Sequence, residues 1–276
     1  MPSPASATSL SERFLALHHG ATPLLLPNPW DVGSARLFAA MGFHALATTS
    51  SGFAASVGRL DGQVTRDEAL AHAAEIVRAT TLPVSADLEN GFGADLAAVA
   101  DSYTLAAQSG LAGGSIEDSA DDPDAPVLDI GAAADRVRAA AEAAHGVDPQ
   151  FVLTGRAENY FHERPDLADT IRRLQAYQEA GADVLYAPGV TRAEDIRSIV
   201  TSVDRPVNVL ARPTALTVAE LGALGVARIS VGGAFAFAAF GAAAEAAREF
   251  LADGTYGFAA QSRAGSEAVV AAFGDA

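Results

Sequence analysis

Neither cysteine nor lysine occurs in the 276 residues; all 18 basic side chains are arginine. Without cysteine there is no disulfide, no thiolate nucleophile and no cysteine metal site. Without lysine there is no Schiff-base chemistry, which removes lysine aldolases and pyridoxal phosphate enzymes, and no phosphate-loop lysine. Positive charge is also scarce. The 18 basic residues face 34 acidic ones, a formal net charge of −16, which argues against nucleic acid or an anionic membrane surface as a partner. No apolar run is long enough to span a bilayer. The stretch from Met1 to Ser11 is polar and small, with no charged segment leading into an apolar one, so no secretory signal is expected and the default compartment is cytoplasmic. The chemistry left open uses carboxylates, Arg, His, Ser/Thr, Tyr, backbone amides or a metal.

Half the residues are hydrophobic, and they fall in short apolar runs alternating with longer amphipathic ones. The candidate strands are Leu24–Leu26, Ala45–Thr49, Val84–Asp87, Gly114–Glu117, Phe151–Thr154, Val184–Ala187, Val207–Leu210 and Arg228–Val231. Helical patterns between them include one capped by Thr65 with Glu68 completing a capping box, then Leu96–Gln108, Ala132–Ala144, Leu167–Ala180 and Thr217–Leu224. Gly42, Gly110, Gly181 and Gly225 each follow a helical run and precede a strand, as C′ glycines do. This repeated unit predicts an α/β fold, a (β/α)₈ TIM barrel spanning residues 1–276 as one domain, with an open doubly wound sheet as the alternative. The runs are continuously apolar, which suits a parallel sheet buried on both faces. Residues 255–276 form a C-terminal extension. Its helical pattern from Ser262 to Phe273 is apolar enough to need a surface, on its own barrel or on a neighbour's.

Catalytic groups of a barrel sit at the carboxyl ends of its strands. Two acids, Asp87 and Glu89, end the run Val84-Ser85-Ala86, and Glu117 ends the next. Three acids at neighbouring strand ends suit a hard cation such as Mg²⁺, with Mn²⁺ as a substitute. Other strand ends offer Asn28 and Asp31, Ser50-Ser51-Gly52-Phe53, Asp118, Arg156 and Glu158, Asn208, and Gly232-Gly233. One cation site, one arginine and glycine-exposed amides fit a small carboxylate bound to a metal: the Ser51–Phe53 amides and Arg156 would hold the carboxylate. Each has a plainer reading. The acids can be loop residues or helix caps, Ser51-Gly52 a tight turn, Arg156 a structural partner of Glu158 or Glu117, Asn208 a loop cap, and Gly232-Gly233 only a weak phosphate signal. The six histidines lack metal spacing; His18-His19 read as surface, and Trp30 as packing as readily as substrate contact.

Taken in order, these phrases resemble the isocitrate lyase and phosphoenolpyruvate mutase superfamily. They are Leu26-Pro27-Asn28-Pro29-Trp30-Asp31, Thr49-Ser50-Ser51-Gly52, Gly58-Arg59-Leu60-Asp61-Gly62, Ala86-Asp87-Leu88-Glu89-Asn90-Gly91-Phe92-Gly93, Ser115-Ile116-Glu117-Asp118 and Gly155-Arg156-Ala157-Glu158. The resemblance implies a barrel, usually a homotetramer exchanging a C-terminal helix, that binds Mg²⁺ and a 2-oxo acid or its enolate. By position, Asp87 resembles the direct metal ligand, with Glu89 and Glu117 acting through water, although the superfamily usually has Asp where Glu89 stands. Ser51, Gly52 and Phe53 resemble the substrate-carboxylate loop, Arg156 the substrate arginine, and Asp61 the acid near the reacting group. The departures are equally plain. Where lyases carry a cysteine loop and mutases a lysine-bearing loop, this chain reads Ser119-Ala120-Asp121-Asp122-Pro123-Asp124-Ala125-Pro126. Where lyases have Glu and mutases His, it has Ala187-Pro188-Gly189.

The expectation is a Mg²⁺-dependent carbon–carbon lyase or decarboxylase acting on a small 2-oxo or 2-hydroxy carboxylic acid. Asp61 would transfer the proton, Arg156 would act at the reacting centre, and Ser51, Gly52, Phe53 and Asn208 would complete the substrate site. The alternatives are a phosphonopyruvate-type P–C bond enzyme and a non-catalytic 2-oxo acid binder. A homotetramer is expected, with no nucleic-acid or membrane partner.

Overall fold

Gly42, Gly110, Gly181 and Gly225 take φ of 93°, 87°, 110° and 90°, a left-handed conformation that a side chain would strain. Each ends a helix just before a strand, so the repeated joint read from sequence is the real one. The computed structural model describes residues 8–120, 122–212 and 216–274; residues 1–7, Asp121, 213–215 and 275–276, which belong to the expected 1–276 domain, lie outside the described residues.

The elements run α1 (Leu10–Leu17), β1 (Leu24–Leu26), α2 (Val32–Ala40), β2 (Leu46–Ala47), α3 (Ser50–Ser56), α4 (Arg66–Ala79), β3 (Val84–Asp87), α5 (Leu96–Gln108), β4 (Gly113–Glu117), α6 (Ile130–Val147), β5 (Val152–Arg156), α7 (Leu167–Glu179), β6 (Val184–Tyr186), α8 (Ala193–Ser202), β7 (Val207–Leu210), α9 (Val218–Ala223), β8 (Arg228–Ser230), α10 (Ala234–Asp253) and α11 (Ala259–Phe273). All pairings are parallel, in the order β1-β8-β7-β6-β5-β4-β3-β2. The Ala47 amide donates to the Pro27 carbonyl at 3.1 Å, so the open β1–β2 seam is nearly closed. The fold is the α/β TIM barrel expected.

Three strands, β1, β3 and β7, have the expected ends; the others differ by one or two residues at an end. β2 shortens to Leu46–Ala47: the Thr48 amide still donates to the Ser85 carbonyl of β3 at 2.9 Å, and Thr49 turns away to cap α3. β5 instead extends to Arg156, paired with Glu117 on β4 and Tyr186 on β6. That register continues from Tyr186 to Asn208 and from Asn208 to Arg228. Directly opposed residues of neighbouring strands face the same side. Glu117, Arg156, Tyr186, Asn208 and Arg228 therefore form one row across the barrel wall.

The inner end of the barrel is closed by α1. Its Phe14, fully buried, packs with Leu24, Ala45, Ala112, Val152 and Val184, near the amino ends of five strands. The main core lies between strands and outer helices, around Tyr103, Tyr177, Leu153 and Leu185. Thr65 caps α4 with the capping box read from sequence. No helix among the described residues is long and apolar enough to cross a membrane.

The tail begins earlier than expected. Helix α11 starts at Ala259 and packs on α2 of its own chain, with the Arg36 guanidinium 4.9 Å from the centre of the Phe273 ring. Both terminal helices nevertheless leave apolar groups in solvent: Phe237 is 51% exposed, Leu251 89% and Val270 67%.

Candidate active site at the carboxyl end of the barrel

A cavity of about 210 Å³ opens at the carboxyl ends of the strands. Its wall includes Asn28, Thr48, Ser51, Asp61, Asp87, Ser115, Arg156, Tyr186, Asn208, Arg228 and Ser230. The register above puts these polar groups, drawn from most of the strands, around one opening.

Arg156 is the hub. Its Nη1 pairs with Asp87 Oδ1 at 2.8 Å, Nη2 with Glu117 Oε2 at 3.0 Å, and Nε with Glu158 Oε1 at 3.0 Å. The guanidinium carbon lies 5.3 Å from the centre of the Tyr186 ring. These carboxylates hold Arg156 well above the ordinary arginine range despite its burial. The fork expected to meet a substrate carboxylate thus already binds three protein carboxylates, and one hydrogen on each terminal nitrogen remains for a ligand.

Asp87 is held from four sides. Its backbone amide donates to Thr48 Oγ1 at 2.9 Å, its Oδ1 accepts from Ser115 Oγ at 3.4 Å as well as from Arg156, and its Oδ2 accepts from the Ser50 amide at 3.2 Å. Glu89 follows in a left-handed conformation, φ 49°. Non-glycine residues seldom sit there without a local reason, and such strain gathers at functional sites. Burial first, then the charges of Asp87, Asp61 and Glu117, push Glu89 up to about 8. Burial also raises Glu117 and Asp61, against the pull of Arg156 in both cases. Asp61, Asp87, Glu89, Glu117 and Glu158 together carry more acid than Arg156 neutralises. Among the described residues no three acid or histidine side chains form a single coordination cluster. The donor set fits one direct carboxylate ligand with other acids acting through water, and its surplus negative charge fits a divalent cation.

Other expected residues fall differently. Asp61 and Ser51 line the cavity, and Asp61 hydrogen-bonds Ser50. Two of the three amides expected to receive a carboxylate are committed to α3: Gly52 donates to the Thr49 hydroxyl at 3.3 Å and Phe53 to the Thr49 carbonyl at 3.0 Å. The Phe53 ring stacks on His72, centroids 3.8 Å apart, outside the main cavity. Gly52 is needed for packing, since a Cβ there would meet Thr49 Cγ2 at 2.6 Å and Ala236 at 3.1 Å. Asn208 is buried, with both ends of its amide bound, to Ser230 Oγ at 2.9 Å and Arg228 Nε at 3.0 Å. The Val231 and Gly232 amides donate to Asn28 Oδ1 at 3.0 and 2.9 Å, tying the end of β8 to the end of β1, and Gly233 opens α10. Asp31 caps α2. Asp118 is structural: Arg173, Tyr177 and the Glu158 amide all donate to it.

Sequence reasoning missed Tyr186, Arg228 and the small polar wall of Thr48, Ser115 and Ser230. It also read His18 as surface, but His18 is 3% exposed. The signals were present. His18 lies one turn after Phe14 on an amphipathic helix, and Arg228 is a charge opening an apolar strand.

Residues 14–251 match the family described as phosphoenolpyruvate phosphomutase. The chain belongs to that family. It is 37% identical to an uncharacterized Mycobacterium tuberculosis protein over 237 residues, 85% of this chain and 87% of the other. It is 31% identical to the 2-methylisocitrate lyase of Escherichia coli K12 over 210 residues, 73% of this chain and 70% of the other. A crystal structure from Burkholderia cenocepacia J2315, named for a lyase/mutase, is 51% identical with a TM-score of 0.87, covering 90% of each chain. That of 2,3-dimethylmalate lyase is 27% identical with a TM-score of 0.82, again over 90% of each. These relatives place the chain in the phosphoenolpyruvate mutase/isocitrate lyase superfamily and support an enzyme of the lyase kind. In the segment that stands where relatives were expected to carry cysteine or lysine, Ser119 bridges to Val127 and the Ala120 amide donates to the Pro126 carbonyl at 2.8 Å. Ser119 Oγ meets His162 Nε2 at 3.2 Å.

Proposed function

We propose that the protein is a Mg²⁺-dependent lyase or decarboxylase of a small 2-oxo or 2-hydroxy acid. The observation that carries this is the cavity in which Asp61, Asp87 and Arg156 meet with surplus negative charge. Asp87 would hold the cation directly, with Glu89 and Glu117 through water. When bound, the metal supplies Lewis-acid stabilisation of the charge that develops on the 2-oxo oxygen, worth several kcal/mol. Arg156 fixes Asp87 and Glu117 and turns its remaining N–H groups to the substrate, beside the Ser51 hydroxyl and amide. In the decarboxylation case the bond to the departing carboxylate breaks, CO₂ leaves and the electron pair of that bond passes into the enolate of the remaining 2-oxo acid. The Asp61 carboxyl, raised by burial, then donates its proton to the enolate carbon. Asp61→Asn should lower kcat by roughly 10² while leaving substrate binding largely intact; an unchanged kcat in steady-state assays would remove that role from Asp61.

A phosphonate reading fits less well. The basic groups lining the cavity among the described residues are Arg156 and Arg228, and the first already serves three acids. A non-catalytic binder would bind oxalate with Mg²⁺ and turn over nothing.

The surplus charge has a pH signature. The folded value of Glu89, about 8, lies above its ordinary 4.5, so the folded state keeps a proton that the unfolded chain has lost. This group's contribution is fully present below pH 4.5 and declines as pH rises through 8. In EDTA the melting temperature should fall across that window more steeply than in saturating Mg²⁺, because the cation then replaces the proton. Parallel melting curves from pH 5 to 9 would contradict it.

A homotetramer is proposed for the assembly, with α10 and α11 covering their exposed Phe237, Leu251 and Val270 against neighbouring subunits. Light scattering at micromolar concentration should give about four times the 28.1 kDa chain mass; a monomer there would refute it.

A further inference from the structure

Arg228 is buried, and among the described residues no acid lies beside it. It is 4% exposed, and its partners are all neutral: Asn208 Oδ1 at 3.0 Å, His18 Nε2 at 3.1 Å and Thr154 Oγ1 at 3.1 Å. His18 cannot supply a charge. Its Nδ1 faces the Phe14 carbonyl at 2.8 Å and so carries the hydrogen, which leaves Nε2 as a bare acceptor, and burial draws its pKa down to about 3. Among the described residues no carboxylate pairs with Arg228; its charged neighbour is Arg156, a second cation, and burial pulls Arg228 down to about 10. Leaving a guanidinium in a desolvated place without a counter-anion is costly, and sequences seldom keep one for stability alone.

The row from Glu117 to Arg228 turns this side chain to the same face of the wall as Arg156, and Arg228 lines the same cavity. The hydroxyls of Ser230 and Tyr186, bonded to each other, lie beside it. One hydrogen on each of its terminal nitrogens is uncommitted.

We infer that Arg228, with the Ser230 and Tyr186 hydroxyls, is a second carboxylate-binding point, and that the substrate is a 2-oxo dicarboxylic acid whose distal carboxylate it receives. This rests on the proposed Mg²⁺ and 2-oxo acid site, because the first carboxylate and oxo group occupy the Asp87–Arg156 end. A cavity of about 210 Å³ accommodates a four- or five-carbon acid. The second anion supplies the counter-charge that the barrel withholds. It also sets selectivity: a monocarboxylate such as pyruvate leaves Arg228 unpaired, and a site built to bond a polar group rejects the ligand lacking it.

Calorimetry on the full chain with saturating Mg²⁺ tests this, using oxalate, pyruvate and oxaloacetate as probes, the last in the form of its 3,3-difluoro analogue so that turnover does not consume it. Oxalate fits the metal end alone. Wild type should bind all three, with oxaloacetate at least tenfold tighter than pyruvate. Arg228→Gln should erase that preference and change oxalate affinity less than twofold. Ser230→Ala, which keeps the charge, should reduce the preference severalfold and serves if the arginine variant fails to fold. Equal affinity of wild type for pyruvate and oxaloacetate, with oxalate still bound, would overturn the Arg228 subsite alone, as would an Arg228→Gln protein that keeps the preference or loses oxalate too. Failure of wild type to bind oxalate in Mg²⁺ would overturn the metal and 2-oxo acid reading beneath it.

Discussion

Replacing Asp87 with alanine should abolish Mg²⁺-dependent stabilisation and reduce turnover by on the order of 10³. Of Asp87, Glu89 and Glu117 it is the one that lines the cavity, and it touches β2–α3 through Ser50, β4 through Ser115 and β5 through Arg156, which fixes its position. Cation binding at a hundredfold excess over the dissociation constant stabilises by about 2.7 kcal/mol. For a chain of this size that is about 5–11 °C in melting temperature. The turnover loss follows from several kcal/mol of transition-state stabilisation at about 1.4 kcal/mol per tenfold. Wild type should show the melting shift on adding MgCl₂ and Asp87→Ala none, even though both fold. A variant that keeps the shift would move the cation away from Asp87.

Arg156→Lys should be nearly as damaging, for two separable reasons. An ammonium is a point charge on a flexible stem and cannot reproduce three directed bonds to Asp87, Glu117 and Glu158. Those side chains are 17%, 16% and 4% exposed, so stranding any of them costs on the order of 3 kcal/mol, or about 6–12 °C in melting temperature. The same change misplaces Asp87 and removes the N–H groups left for substrate, so kcat/KM should fall by about 10² or more beyond any loss of folded protein. Melting curves and kinetics on the folded fraction separate the two effects. A lysine variant with wild-type kcat/KM would show Arg156 to be a structural hub only.

What could be read before the structure was whatever one strand or one joint carries. The C′ glycines, the Thr65 capping box and the acids ending β3 and β4 are local signals, and each stands where its pattern placed it. What could not be read depends on register between strands. Nothing local to Arg156 says that its fork is taken by acids from β3, β4 and its own loop, and nothing local to Asp118 says that Arg173 and Tyr177, more than fifty residues on, will lock it into the core. The Ser50–Phe53 phrase misled in part because a loop of glycine and serine looks the same whether its amides are free or open a helix; here Thr49 caps that helix and uses them. Arg228 was hidden for the reason that makes it informative, since a strand of Arg-Ile-Ser gives no hint that the arginine turns inward.

The most direct measurement is turnover of oxaloacetate by purified protein with Mg²⁺, with EDTA, and with Mg²⁺ restored. A lyase or decarboxylase working as proposed consumes the acid with Mg²⁺, stops in EDTA and recovers on restoring the metal. Tight, metal-dependent binding of oxaloacetate and related 2-oxo and 2-hydroxy acids with no turnover of any of them would contradict it.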